Sequence, residues 1–279
     1  MRIDAHHHIG HFGKSVDDVL RHMDAHQVDR TVLLSIDDID GGRTDDGPTP
    51  IAGSETILAE AGRRPDRLIP FVHVDPRRPD CLVRLRALAE QGAAGFGEHK
   101  LPMAVDDPRA VELYHEAGRL GLPVVIHFEH GRSNSGFARF DRVIRQCPGT
   151  VFIGHAQTWW AGIEAGRESE SGYPEGPVTA AGLTDRWLAE FENLYADLGA
   201  NSAYNAMTRD RQFAEGFVAR HWDKLIWGTD CPCRDGKGGG TQSQECYAAL
   251  MLPVLSELCK DPQRLEGILG NNIARLLKL

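Results

Sequence analysis

Eight short apolar runs, each followed by a stretch of helical period, constrain this chain more than any other feature. They fall at residues 2–8, 31–36, 68–74, 93–99, 123–128, 151–155, 194–198 and 225–229. Runs of this length that alternate with helices build a parallel sheet, because each crossover helix returns the chain to the same end of the sheet. The helical segments lie at 16–26, 54–64, 81–91, 108–119, 136–146, 184–192, 209–221 and 244–258. Val19, Leu20 and Met23 mark one apolar stripe, and Pro108 behind Asp106 and Asp107 reads as a first-turn proline behind a cap. Eight parallel strands close a barrel, so the expected fold is a (β/α)8 TIM barrel. One domain over residues 1–279 accommodates it, with an extra C-terminal helix at 262–277 packed outside.

Composition narrows the function. The formal charge is −9 with no basic block, which argues against a nucleic-acid partner. No apolar run reaches the roughly 20 residues of a membrane span. Six cysteines in a chain of this length, with no apolar signal segment before His6, predict reduced thiols and a cytoplasmic protein. The expected partner is a small-molecule substrate, with homo-oligomerisation open.

The chemistry starts in the first strand. His6 and His8 sit at i and i+2, so they point to one side about 7 Å apart while His7 points to the other. That is the spacing of a chelate rather than of an appended histidine tag. In a βα barrel the loops after strands form the active face, and the three longest, 37–50, 158–182 and 231–243, all follow strands. The segment 158–182, with Trp159 and Trp160 near its start, reads as a lid or pocket wall. Further ligand types end other strands: His127 the fifth, His155 the sixth and Asp230 the eighth. Any one of these alone is as well read as a hydrogen-bonded strand end. Together they form a nitrogen and oxygen donor set suited to zinc, with manganese the second choice.

Strand four adds Glu98, His99 and Lys100, with Glu98 and Lys100 on one face and His99 on the other. A carboxylate at that position can bridge two ions roughly 3.5–4 Å apart, with His6, His8 and Asp230 on one and His127 and His155 on the other. The rival is a single ion, with Glu98 paired to Lys100 or to substrate. Lys100 is a weaker ligand because its ammonium must first lose its charge, for example by carboxylation.

These residues resemble the amidohydrolase superfamily, in particular its amidohydrolase 2 branch. The resemblance spans nearly the whole chain. It rests on Asp4-Ala-His6-His7-His8, on His127 and His155, on Trp227-Gly-Thr-Asp-Cys-Pro232 and on Gly270-Asn-Asn-Ile-Ala-Arg-Leu276. It implies His6, His8, His127 and Asp230 as metal contacts, His155 as a ligand or electrophile, and Asp230 also as the proton carrier. Glu98 departs from the many members of that branch that lack a carboxylate at strand four, and is closer to the binuclear lactonase-like and phosphotriesterase-like pattern.

The expected function is therefore metal-dependent hydrolysis of an ester, lactone or amide, with Asp230 taking a proton from activated water and His155 helping to polarise the carbonyl. The branch also holds non-oxidative decarboxylases of aromatic or unsaturated acids, which makes a lyase the alternative. Lys100, Arg132 and Arg234 are then the candidates to seat the substrate carboxylate, although Arg132 and Arg234 read more simply as solvated loop charges. A metal-dependent scaffold without catalysis leaves the proton carrier without a purpose. Lys100 and Trp159 are the expected substrate-binding residues. His22, His26, His115 and His221 read as surface residues, His73 lies near a strand end, and His11, in a loop, has no assigned role. Cys231 and Cys233, without two further cysteines beside them, read as unpaired thiols at the rim.

Overall fold

The computed structural model describes residues 1–37, 39, 50–168, 172–241 and 243–279. Its strands are β1 Ile3–His7, β2 Arg30–Leu34, β3 Leu68–Val72, β4 Gly95–His99, β5 Val124–His127, β6 Phe152–His155, β7 Leu194–Asp197 and β8 Leu225–Ile226. Every neighbouring pair from β1 to β8 is parallel and in sequence order. The Ala5 amide donates to the Trp227 carbonyl at 3.0 Å and the Asp230 amide to the His6 carbonyl at 2.8 Å, which brings the chain after β8 back to β1. The result is the nearly closed TIM barrel that the eight runs predict.

The helices are α1 Val16–Ala25, α2 Ser54–Arg63, α3 Cys81–Glu90, α4 Pro108–Arg119, α5 Phe140–Gln146, α6 Gln157–Ala161, α7 Leu183–Glu190, α8 Ala200–Thr208, α9 Arg211–His221, α10 Tyr247–Leu258, α11 Pro262–Glu266 and α12 Asn272–Leu277. Local chemistry sets several of their ends. Ser15 and Asp18 form a reciprocal capping box on α1, and Asp107 caps α4 ahead of Pro108.

Two apolar layers follow from strand alternation. Ile3, Val32, Leu34, Ile69, Phe71, Val125, Ile153 and Ile226 fill the barrel interior. Leu33, Leu68, Val72, Phe96, Val124, Ile126 and Phe152 face the helices. Ladder irregularities in β1, between Asp4 and His7, and in β4, between Phe96 and His99, break this alternation. Phe96 therefore lies in the outer layer although Glu98, two residues on, reaches the barrel centre.

The segment expected as a single outer helix differs in two ways. It is divided into α11, a π-turn at Gly267–Asn271, and α12. Ile273 and Ala274 join the inner cluster beside Ile3 and Ile226, so α12 covers the strand-start end of the barrel instead of packing outside it. Gly270 leaves no room for a side chain, since a Cβ there would stand 2.1 Å from the Met1 carbonyl. Of the long loops, 37–50 lies largely outside the described residues.

Candidate metal centre

His6, His8, Glu98, His127, His155 and Asp230 come from β1, β4, β5, β6 and the chain after β8, and they meet at the C-terminal end of the barrel. All but Asp230 are buried, and the side chain of Asp230 is 18% exposed. Neighbouring acceptors set the ring orientations. His6 donates from Nδ1 to Asp197 Oδ2 at 2.5 Å, and His8 donates from Nδ1 to the Leu34 carbonyl at 2.9 Å. A neutral imidazole protonated on Nδ1 has a bare lone pair on Nε2. The two Nε2 atoms nevertheless stand only 3.0 Å apart. Two lone pairs held that close need a cation between them.

The carboxylates divide their oxygens between two histidine pairs. Glu98 Oε2 is 3.2 Å from His8 Nε2 and 3.9 Å from His6 Nε2, whereas Oε1 is 2.5 Å from His127 Nδ1 and 3.6 Å from His155 Nε2. Asp230 Oδ1 is 3.6 Å from His8 Nε2 and 3.8 Å from His6 Nε2, and Oδ2 is 3.6 Å from His155 Nε2. Ligand atoms about 2.1 Å from a common tetrahedral ion stand about 3.4 Å from one another, so the separations of 3.2–3.9 Å suit zinc or a similar ion, whereas the 2.5 Å contact is a direct hydrogen bond between His127 and Glu98. The His155 Nε2 atom is buried and has no hydrogen-bond partner among the described residues, and His127 Nε2 has Glu129 Oε2 3.5 Å away. The donor set fits a divalent cation.

Charge reinforces this fit. Burial disfavours ionised Glu98, yet His127, with His8 and His6, holds its carboxyl well below the usual range. Burial is likewise outweighed at Asp230 by His6, His155 and His8, and at Asp197, where His6 and His155 bring the value to about 2. In return, Asp197, Asp230 and Glu98 overcome burial at His155 and push it up to about 10. Three carboxylates, Glu98 and Asp197 buried and Asp230 partly exposed, thus draw positive charge into the site. Protons supply it when no metal does, which couples metal binding to proton release.

Asp197 is the residue the sequence reading passed over. It ends β7 as His127, His155 and Asp230 end or follow their strands, and its Oδ2 holds His6 and also lies 3.1 Å from His155 Nδ1. The signal was the same polar residue closing an apolar run. Asp4 has a related supporting role: it accepts the Thr229 amide at 2.9 Å and its hydroxyl at 2.6 Å, locking the segment before Asp230 onto β1. Gly228 belongs to this packing, since a Cβ there would meet Asp197 Oδ1 at 2.5 Å. Replacing Asp197 with Asn removes the charge that orients two imidazoles. We expect metal affinity to fall about 10–100-fold, measured by competition with a chromophoric chelator. An unchanged affinity would remove Asp197 from the design of the site.

A cavity of about 310 Å³ opens over the cluster, lined by His11, Lys100, His127, His155, Gln157, Tyr173, Asn201 and Asp230 among others. A second, of about 520 Å³, adjoins it and shares Phe12, Asn201, Pro232 and Tyr247. Lys100 lines this cavity, as does His11, to which no role was given. Trp159 does not. It is fully buried against Phe128 and Phe137, and its indole lies over Gly154, where a Cβ would stand 2.4 Å from the ring. The expected substrate contact is a packing residue that anchors α6. The segment 158–182 still walls the cavity through Tyr173, with Gln157 just before it. Arg132 pairs with Glu129 at 3.0 Å, and Arg234 donates to the Phe12 carbonyl; neither lines this cavity. His22 and His221, expected at the surface, are buried. His73 is also buried and meets His99 at 3.0 Å, away from the cavity. The Cys231 and Cys233 pair is buried as well, with Cys231 in the wall of the second cavity.

An eight-stranded parallel barrel with imidazoles and carboxylates gathered at its strand ends defines a TIM-barrel protein with a candidate metal centre. Residues 3–279 match the family model described as amidohydrolase, and the chain belongs to that family, in its amidohydrolase 2 branch. No curated protein matches the chain. Among solved structures it is similar to an uncharacterised TIM-barrel protein from Bordetella bronchiseptica, with 18% identity and a TM-score of 0.63 over 95% of this chain and 83% of that one. It is also similar to a probable 2-pyrone-4,6-dicarboxylic acid hydrolase from Acinetobacter baumannii, with 16% identity and a TM-score of 0.61 over 100% and 99% of the two chains. A third similar structure is a dihydroxybenzoic acid decarboxylase from Polaromonas with bound manganese, with 13% identity and a TM-score of 0.60 over 100% and 97%.

Proposed function

We propose that this protein is a metal-dependent hydrolase that adds water to the carbonyl of a small ester, lactone or amide, using a centre of two divalent ions. One observation carries the reading: Glu98 turns Oε2 toward His6 and His8 and Oε1 toward His127 and His155. A carboxylate divided in this way suits a bridge between two ions better than a ligand to one. A bound divalent ion supplies acidified water, with a pKa of roughly 7, and polarises a carbonyl. Zinc is the expected ion and manganese the alternative.

The protein's own residues do the rest. Asp197 fixes the His6 and His155 rings. Asp230 lies between the cluster and the cavity, held as a carboxylate, so it starts the cycle able to take a proton and can return it to the leaving group. Lys100 presents a cation to the substrate side of the cavity, and Gln157, Tyr173 and Asn201 supply hydrogen-bonding groups there. The cavity size fits a small molecule.

The second reading is non-oxidative decarboxylation, favoured by Lys100 as a seat for a carboxylate and by the decarboxylases among the similar folds. Asp230 would then have to carry a proton before the reaction, to deliver it to the carbon that loses carbon dioxide. Zinc- and manganese-loaded protein should be assayed against a panel of lactones, esters, amides and hydroxylated aromatic acids, following acid release and carbon dioxide separately. Acid release from a lactone or ester supports the hydrolase. Carbon dioxide from an aromatic acid, with no hydrolysis, overturns it in favour of the lyase.

A further inference from the structure

We propose that a second metal site, separate from the barrel-mouth cluster, binds a structural zinc ion through Cys231, Cys233, Cys246 and His22. The three sulphur atoms are all buried and lie within 4.8 Å of one another. Cys231 and Cys233 follow Asp230, Cys246 immediately precedes α10, and His22 is on α1, so three separate segments of the chain converge here. Cys246 Sγ is 3.9 Å from Cys231 Sγ and 3.3 Å from His22 Nε2. A tetrahedral zinc ion with Zn–S bonds of about 2.3 Å sets its sulphurs about 3.8 Å apart, and a sulphur and a nitrogen about 3.5 Å apart. These two separations are near those edges, and the three sulphurs lie within 4.8 Å of one another.

Backbone amides point at two of the sulphurs, and the Cys233 thiol donates to Asp235 Oδ1 at 3.3 Å, a proton that metal binding would release. The Gly238 amide donates to Cys233 Sγ at 3.0 Å and the Tyr247 amide to Cys231 Sγ at 3.4 Å, as outer-shell donors do around metal-bound sulphur. Three thiolates and a neutral imidazole around Zn²⁺ leave one negative charge. Lys14, buried beside them and donating to the Cys231 carbonyl, supplies the opposing one. His26 also approaches Cys246 Sγ, at 3.2 Å, but its Nε2 faces the Gly236 carbonyl at 3.0 Å, a bond only an N–H can make. The ligand is therefore assigned to His22. Its Nδ1 faces His7 Nε2 at 3.4 Å, and His7 Nδ1 takes the Lys14 ammonium at 2.7 Å, so zinc binding through His22 Nε2 requires the His22 proton to pass to Nδ1 and the His7 N–H to turn toward Asp4 Oδ2, 3.8 Å away. Sulphur-rich, buried and four-coordinate, this is a closed site without an open position for substrate. It would tie α1 and α10 to the residue next to Asp230, whose backbone has a φ of 48°.

Cobalt substitution tests this independently of turnover, because thiolate-to-cobalt charge transfer absorbs in the near ultraviolet and imidazole or carboxylate ligation does not produce it. Full-length protein loaded with Co²⁺ should show that band. It should persist in His8→Ala, weaken in Cys246→Ser and His22→Ala, and remain in His26→Ala. Zinc per chain should fall by one in Cys246→Ser. Absence of the band in wild-type protein, an undiminished band in Cys246→Ser, or a Cys231–Cys246 disulfide found by mass spectrometry would overturn the proposal. If Cys246→Ser does not fold, the wild-type spectrum alone decides. Loss of the band in His26→Ala but not in His22→Ala would overturn the His22 assignment.

Discussion

Asp230→Asn is expected to lower kcat by roughly 100- to 10,000-fold, the usual worth of a positioned acid or base. The prediction follows from where the carboxylate sits. Its oxygens face His6, His8 and His155 on one side, and on the other it lines the cavity that admits substrate. Asn retains the shape and one acceptor oxygen but cannot take a proton. The check is kcat on whichever member of the substrate panel is turned over, together with the metal content of the variant. A large loss of turnover with metal retained assigns the proton-carrying role. Full activity with metal retained would remove it, and loss of metal together with activity would make Asp230 chiefly a ligand.

Strand ends were the most legible part of the sequence, because one physical rule governs them. In a parallel barrel an apolar run must end where it meets solvent or a site, so a polar residue closing that run stands at the mouth. His127, His155 and Asp230 were readable for this reason. Asp197 satisfies the same rule and was missed because the sequence Leu194-Tyr-Ala-Asp offers no second ligand type nearby to single it out. Its importance is visible only across the barrel, in the ring of His6, 191 positions away.

Two other features depended on information a local pattern does not contain. The helix α8 buries Ser202, Ala203, Ala206 and Met207, and three of these four side chains are small, so its inner face leaves no strong apolar period. The ladder irregularity in β4 changes which residues share a face: Phe96 and His99 both face the outer layer, where a regular strand would separate them. Glu98 nonetheless reaches the cluster as the spacing suggested, by way of this irregular backbone. The cysteines show a different limit. Cys231 and Cys233 looked incomplete because Cys246 lies beyond the loop and His22 more than 200 residues earlier; folding, not spacing, brings them together.

The thiolate site bears directly on how the Glu98 bridge is tested. Counting zinc alone would mix its ion with those at the barrel mouth, and one structural zinc plus one catalytic ion would look like a binuclear centre. Manganese separates the two, since it favours oxygen and imidazole donors over a thiolate cage. We expect wild-type protein to take up two Mn²⁺ per chain, with exchange coupling between them in the electron paramagnetic resonance spectrum. Glu98→Gln should retain one or none and lose the coupling, because the amide replaces an anionic oxygen that faces His127 at 2.5 Å or His8 at 3.2 Å. Turnover should fall by more than about 100-fold, since even an outer-shell partner of a metal ligand is worth 10–100-fold. Glu98→Ala, which removes both oxygens, should behave at least as severely. One uncoupled Mn²⁺ in both wild-type protein and Glu98→Gln would mean that the carboxylate spans the two histidine pairs without joining two ions. His6 and His8 would then hold a single metal with Asp230, and His127 and His155 would serve the substrate.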